Sequence, residues 1–125
     1  MSRRTISDVL ASAQSRLDRV TPAEAWRRSR DGWLIVDTRS SDDRRARGVI
    51  PGSVHAPLSV LEWRVDPASG HQDPAIAGHE DRLILVCADG YSSSLAAIGA
   101  PMTALIVSHA VWDIWIFLVS PTERE

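Results

Sequence analysis

The sequence predicts an α/β domain whose mainly parallel sheet is flanked by helices. Two near-continuous apolar runs, Trp33-Leu34-Ile35-Val36 and Leu83-Ile84-Leu85-Val86, read as strands buried on both faces, the pattern of parallel pairing. Segments with helical punctuation lie before and between them, so strand and helix alternate along the chain. Hydrophobic residues make up 44% and charged residues 24% of the 125 positions, which fits a single domain with a modest core.

Ile6, Val9, Leu10, Ala13 and Leu17 recur at helical spacing and predict an amphipathic helix within residues 1–20. Thr21-Pro22-Ala23-Glu24 opens a second helix, with Thr as N-cap, Pro at the first helical position and Glu completing a capping box. That helix runs through Trp26 and stops near Asp31-Gly32. The strand Trp33–Val36 comes next and ends in the polar Asp37-Thr38-Arg39. Residues 40–47 are heavily charged and are expected as a solvated helix or loop. Gly48-Val49-Ile50-Pro51-Gly52 is a turn, Ser53–Ala56 a short strand, and Leu58–Val65 a short helix carrying Trp63. Asp66–Asp81, with Pro67, Gly70, Pro74 and Gly78, reads as a long surface connection.

The strand Leu83–Val86 runs straight into Cys87, the one cysteine of the chain. By default a lone cysteine after four aliphatics is an inert, buried small hydrophobe. The residues after Cys87 argue for chemistry. Ala88-Asp89-Gly90-Tyr91-Ser92-Ser93-Ser94 reads as a tight polar loop, and Leu95-Ala96-Ala97-Ile98 as the start of a helix. Such a loop turns backbone N–H groups inward and the helix adds its positive end, a cradle that favours a thiolate and holds an anion bound to it. Asp37 and Cys87 both fall at predicted strand carboxyl ends, the edge where open parallel sheets bind ligands.

Composition narrows the classes further. One cysteine excludes an internal disulfide framework and Cys-cluster metal sites, and it fits a reducing, cytoplasmic setting. His55, His71, His79 and His109 are scattered without ligand spacing, so no metal is expected, and there is no Gly-rich nucleotide loop, so no cofactor is expected. A formal net charge of −2 gives no footprint for nucleic acid or an anionic membrane. No apolar region long enough for a secretory signal comes after Met1–Thr5. The tryptophans are expected as core or groove walls, His55 as structural, and Arg44-Arg45-Ala46-Arg47 as a solvated face.

Taken together these residues resemble the rhodanese-like family over about residues 20–98. Val36-Asp37-Thr38-Arg39 is similar to its strand-ending apolar-Asp-x-Arg signature, with Asp43 in place of the usual Glu. Gly48-Val49-Ile50-Pro51-Gly52-Ser53-Val54-His55-Ala56-Pro57 is similar to its Gly-His-Ile-Pro-Gly-Ala segment. Cys87 to Ser93 matches its Cys-x-x-Gly-x-x-Ser loop, with Gly90 in the glycine position. The resemblance implies a sulfurtransferase. Cys87 would carry a persulfide, backbone donors would come from Ala88, Asp89, Gly90, Tyr91 and Ser92, and Asp37 and Arg39 would be scaffold residues near the loop's base. The implied partners are a small sulfur donor such as thiosulfate and a cyanide or thiol acceptor, including a protein thiol. The alternative is a catalytically weak binding or redox-sensing module. Phosphatase or arsenate-reductase chemistry ranks third, because the loop lacks the arginine that holds a phosphate dianion.

Two departures qualify the resemblance. Ser92 stands where many active members carry an arginine, and Asp89 adds a negative charge. This favours a less anionic donor than thiosulfate, although Arg39, Arg44 and Arg47 are cations within plausible reach of the site. The other departure is a divergent apolar tail, residues 99–125. Pro101 interrupts the helix expected there, and Asp113 is the only charge between Thr103 and Val119. A reading-frame change near codon 98 and a natural divergent ending both fit this pattern. Thr103–Val107 is expected as a strand that partly replaces the missing one. Asp113 and His109 count against a membrane span, which leaves a buried strand pair or an exposed, aggregation-prone segment.

Overall fold

A run of four aliphatic residues becomes the middle strand of the sheet. In the computed structural model, which describes residues 3–87 and the backbone of residues 104–107, Leu83–Val86 forms strand β4 with all four residues buried. The other strands described are β1 (Arg19–Val20), β2 (Leu34–Asp37), β3 (Val54–His55) and β5 (Ala104–Val107). They lie in the order β1-β5-β4-β2-β3, and every pairing is parallel. The strand expected within 103–107 is therefore present, and it lies inside the sheet between β1 and β4. β1 is not legible in the sequence, because two residues are too short for any periodicity.

Alternation along β2 and β4 gives the sheet two apolar faces. Ile35, Ile84 and Val86 join Val20, Ala25 and Ile50 on one face, with Trp26 and Trp33 packed against them. Val36, Leu83 and Leu85 join Ala56, Leu61, Val65 and Ile76 on the other. Helix α2 (Pro22–Ser29) covers the first face through Ala25 and Trp26, and α4 (Leu61–Val65) covers the second through its two ends. Covering both faces is what lets a parallel sheet be apolar throughout. Ile76, fully buried, pins the long 66–81 connection to the second face.

The helices start where side chains can satisfy their first N–H groups. Helix α1 (Ile6–Ser15) opens on a capping box in which Thr5 Oγ1 accepts from Asp8 N at 3.1 Å and Thr5 N donates to Asp8 Oδ2 at 2.9 Å. Only its later part reaches the core: Ala13 is buried, whereas Ile6 is 68% exposed. In α2, Thr21 Oγ1 accepts from Glu24 N at 3.1 Å. The capping box expected from Glu24 is not what forms; its carboxylate is taken by Arg27 and Arg28, stronger charge-assisted partners than a backbone N–H. The charged segment is a helix, α3 (Ser41–Arg47), with no buried residue. Trp63, expected with the other tryptophans as a core or groove wall, is instead 53% exposed. It lies between Leu61 and Val65, which turn the buried side of this short helix inward.

Candidate functional site

Parallel register lines up the carboxyl ends of three strands. Asp37, the last residue of β2, pairs in register with Val86 of β4 on one side and His55 of β3 on the other. Cys87 comes directly after Val86 and is 6% exposed. The structure thus brings Asp37, Thr38, Arg39, His55 and Cys87 to one edge of the sheet. The loop residues Ala88, Asp89, Gly90, Tyr91 and Ser92 lie outside the described residues.

The polar groups of this edge are buried and bound to one another. Asp37 and the side chain of Arg39 have no exposed surface. Arg39 Nε donates to Asp37 Oδ1 at 3.0 Å and Nη2 to Oδ2 at 2.8 Å, a bidentate pair, while Arg39 N also donates to Oδ1 at 3.1 Å. Arg44 adds a third side-chain bond, Nε to Oδ2 at 3.1 Å, so Asp37 faces two guanidinium groups. Arg39 Nη2 reaches on to the carbonyl of Gly48 at 2.9 Å. Gly48 ends α3 at a φ of +88°, a backbone region that other residues seldom adopt. His55 Nε2 donates to the Arg39 carbonyl at 2.7 Å, which places the imidazole proton on Nε2. One carboxylate and two arginines thereby tie β2, β3, α3 and the turn after it together.

Arg44 departs from its expected place on a solvated face, for its side chain is only 23% exposed. Arg45 and Arg47 keep that face, pairing with Asp42 and Asp43. The signal that separates Arg44 is its position seven residues after Asp37, on the turn of α3 that comes back over the strand end. Asp43, in the place of the family's usual Glu, pairs with Arg47 at 3.3 Å.

A groove of about 610 Å³ lies elsewhere, lined by Trp26, Arg30, Trp33, Pro51, Gly52 and His79 among others. Trp33 precedes β2 and Pro51-Gly52 precede β3, so the groove sits at the amino ends of the strands, opposite Cys87. Arg28 lies 5.3 Å over the Trp33 ring and Arg30 5.4 Å over Trp26. Among the described residues no cluster of His, Cys, Asp and Glu suits a metal ion, and no helix is long and apolar enough to cross a membrane.

A parallel sheet covered on both faces, with a thiol at the carboxyl end of its middle strand beside an Asp-x-Arg ion pair, defines the class of domain. The rhodanese-like domain profile matches residues 21–115, and the chain belongs to that family. The match runs past residue 98, where the motif-by-motif resemblance stops, and takes in β5. Rhodanese-like domains often carry sulfurtransferase activity. Among solved structures the chain is similar to a protein of unknown function from Rhodopseudomonas palustris CGA009, named as a possible tyrosine phosphatase. The two share 28% identity over 91% of this chain and 92% of that one, with a TM-score of 0.73. The fold is also similar to that of reduced Bacillus anthracis CoADR-RHD, at 20% identity and a TM-score of 0.59. That match covers 86% of this chain and 18% of the other. No curated protein matches the chain.

Proposed function

We propose that this chain is a sulfurtransferase that moves sulfane sulfur through a persulfide on Cys87. The observation that supports it best is the place of Cys87, directly after the buried middle strand and on the edge where Asp37 and Arg39 are locked together. The Cys87 thiolate attacks the outer sulfur of the donor. With thiosulfate, the new S–S bond forms as the bond to the sulfonate sulfur breaks, and sulfite leaves with the electron pair. A thiolate or cyanide then attacks the outer sulfur of the persulfide, which yields a new persulfide or thiocyanate and returns the thiolate. Backbone N–H groups of residues 88–92 are assigned to stabilise charge on the outer sulfur. Asp37 and Arg39 brace the end of β2, the strand paired with the one from which the loop leaves.

Replacing Cys87 with Ser tests this reading. Persulfide formation, tracked by mass spectrometry after incubation with thiosulfate or a small-molecule persulfide, is expected to vanish while the fold is kept. Sulfur transfer that survives in Cys87→Ser would falsify the mechanism. Donor choice is set by Ser92 and Asp89, which bring no positive charge to the loop, so a less anionic donor is favoured. Ser92→Arg is expected to raise kcat/KM for thiosulfate about tenfold, roughly one bidentate charge-assisted pair, with little change for a neutral persulfide donor. Equal changes for both donors would show that loop charge does not set the preference. The lone cysteine supports a reducing, cytoplasmic setting, and a protein thiol is a suitable acceptor.

The name given to the Rhodopseudomonas palustris protein favours a second reading, phosphate-ester hydrolysis on the same cysteine. Residues 88–94 contain no arginine to hold a phosphate dianion, which ranks this reading lower. Turnover of an aryl phosphate that Cys87→Ser abolishes, with no persulfide detected, would reverse the order. A wild-type protein with neither activity, whose thiol oxidises reversibly, would point to a redox-sensing module.

A further inference from the structure

Val86 is the last residue of β4, and its carbonyl accepts two hydrogen bonds from a single partner. Thr38 N donates at 2.8 Å, extending the β2–β4 ladder by one step, and Thr38 Oγ1 donates at 2.8 Å as well. Thr38 is itself buried, at 3% exposure. The Val86 carbonyl belongs to the same planar amide as the nitrogen of Cys87. Two donors on one oxygen resist rotation of that plane, and the plane sets where the Cys87 Cα–Cβ bond begins.

The threonine acts from a fixed base. On one side the Asp37 carbonyl accepts from Ala56 N at 3.0 Å, and the Asp37 carboxylate is bound by Arg39 and Arg44. On the other side the Arg39 carbonyl accepts from His55 Nε2 at 2.7 Å. Both neighbours of Thr38 are therefore anchored, and its hydroxyl carries that rigidity across to the peptide before Cys87. We propose that Thr38 is a positioning residue for sulfur transfer: its hydroxyl locks the Val86–Cys87 peptide so that the sulfur meets its donor in one geometry. The proposal rests on Cys87 being the sulfur carrier. Ladder pairing alone leaves the amide a hinge about a single hydrogen bond; the hydroxyl removes that freedom.

Thr38→Val separates the two bonds. Valine keeps the β-branched shape and the N–H bond to Val86 O, so the buried carbonyl stays satisfied and only the second hold is lost. Thr38→Ser keeps the hydroxyl and loses a methyl group. The measurement is steady-state sulfur transfer per folded molecule, with kcat and KM separated. Because small misplacements of a reacting group cost rate steeply, Thr38→Val is expected to lower kcat about tenfold with donor KM within about twofold. Thr38→Ser should recover kcat to within about threefold of wild type, which loss of packing alone would not produce. Should Thr38→Val fail to fold, Thr38→Ala carries the same expected fall, since it also keeps the N–H bond. Wild-type kcat in Thr38→Val overturns the proposal, as does Thr38→Ser slowed as much as Thr38→Val. A wild-type protein that forms no persulfide removes the sulfur-carrier reading itself, a result distinct from either.

Discussion

The two ends of the sheet are built on opposite principles. At the carboxyl edge Asp37, Thr38 and Arg39 are buried; Arg39 is bound to Asp37, and Thr38 to the Val86 carbonyl, through bonds of 2.8–3.1 Å. At the amino edge the cations stay near solvent and lie 5.3 and 5.4 Å over the faces of Trp33 and Trp26. A buried charge network is tolerated only if every member is matched, because an uncompensated charge in the interior is very costly. A guanidinium near solvent over a half-buried ring adds modest attraction and loses little when removed. The chain thus concentrates its geometric precision at the edge that carries the thiol and leaves the aromatic edge adaptable.

The sharpest way to break this contrast is Asp37→Asn. The substitution keeps the shape of the side chain and removes its charge from the bidentate pair with the fully buried Arg39 guanidinium, while Arg44, partly exposed, can turn to water. Removing one partner of such a pair typically costs about 3–5 kcal/mol, and urea denaturation of the variant is expected to fall in that range. If the loss is no larger than that of an exposed ion pair, the carboxyl edge is not a rigid base.

How much of this is legible in the sequence depends on the reach of each signal. The two buried strands are plain because four consecutive apolar residues between turn signals have few other uses, and β2 and β4 match them. The start of α2 is equally plain from Thr21-Pro22. Helix α1 and its capping box are only half visible: the periodic apolar residues mark the helix, but Asp8 holds the role usually taken by Glu and gives no such mark. The assembly around Asp37 is partly legible. Asp37 and Arg39 are two residues apart and read as one motif, whereas Arg44 and His55 come to them only through the turn of α3 and the register of β3. Arg44 and Arg45 both sit in a run of charges, and the spacing of Arg44 from Asp37 gains meaning only once α3 is seen to turn back over the strand end. Thr38 gives no signal at all, because a threonine at a strand end is ordinary until its hydroxyl is seen on the carbonyl before Cys87.

The matching experiment at the other edge is Arg28→Gln. It removes the cation over Trp33 and one partner of Glu24, and both contacts are solvent-accessible. The expected loss is about 0.5–1 kcal/mol, several-fold below that of Asp37→Asn, with the proposed sulfur transfer unchanged because the groove is remote from Cys87. A fall in kcat for Arg28→Gln would show that the two edges communicate, and the contrast would need redrawing.

The smallest effect belongs to Glu24, which holds Arg28 from below. Its carboxyl is drawn beneath its ordinary value of 4.5, first by the hydrogen bond from Arg27 and then by that from Arg28. A carboxyl whose folded pKa is depressed contributes stability that is fully present above the unfolded pKa, and that contribution is lost as pH falls through the folded one. The stability difference between wild type and Glu24→Gln should therefore be constant at neutral pH and down to about 4.5. Below that it should shrink, as protons take the carboxylate from the two arginines. Screening makes the whole term small, and added salt should reduce it further, which is the mark of an exposed pair. Asp37 offers the contrast, since salt reaches a buried pair poorly and the cost of Asp37→Asn should persist at high ionic strength. A Glu24→Gln difference that stays flat through the acid range would mean that Arg27 and Arg28 do not hold the carboxylate in solution. Arg28 would then owe its place over Trp33 to the ring alone.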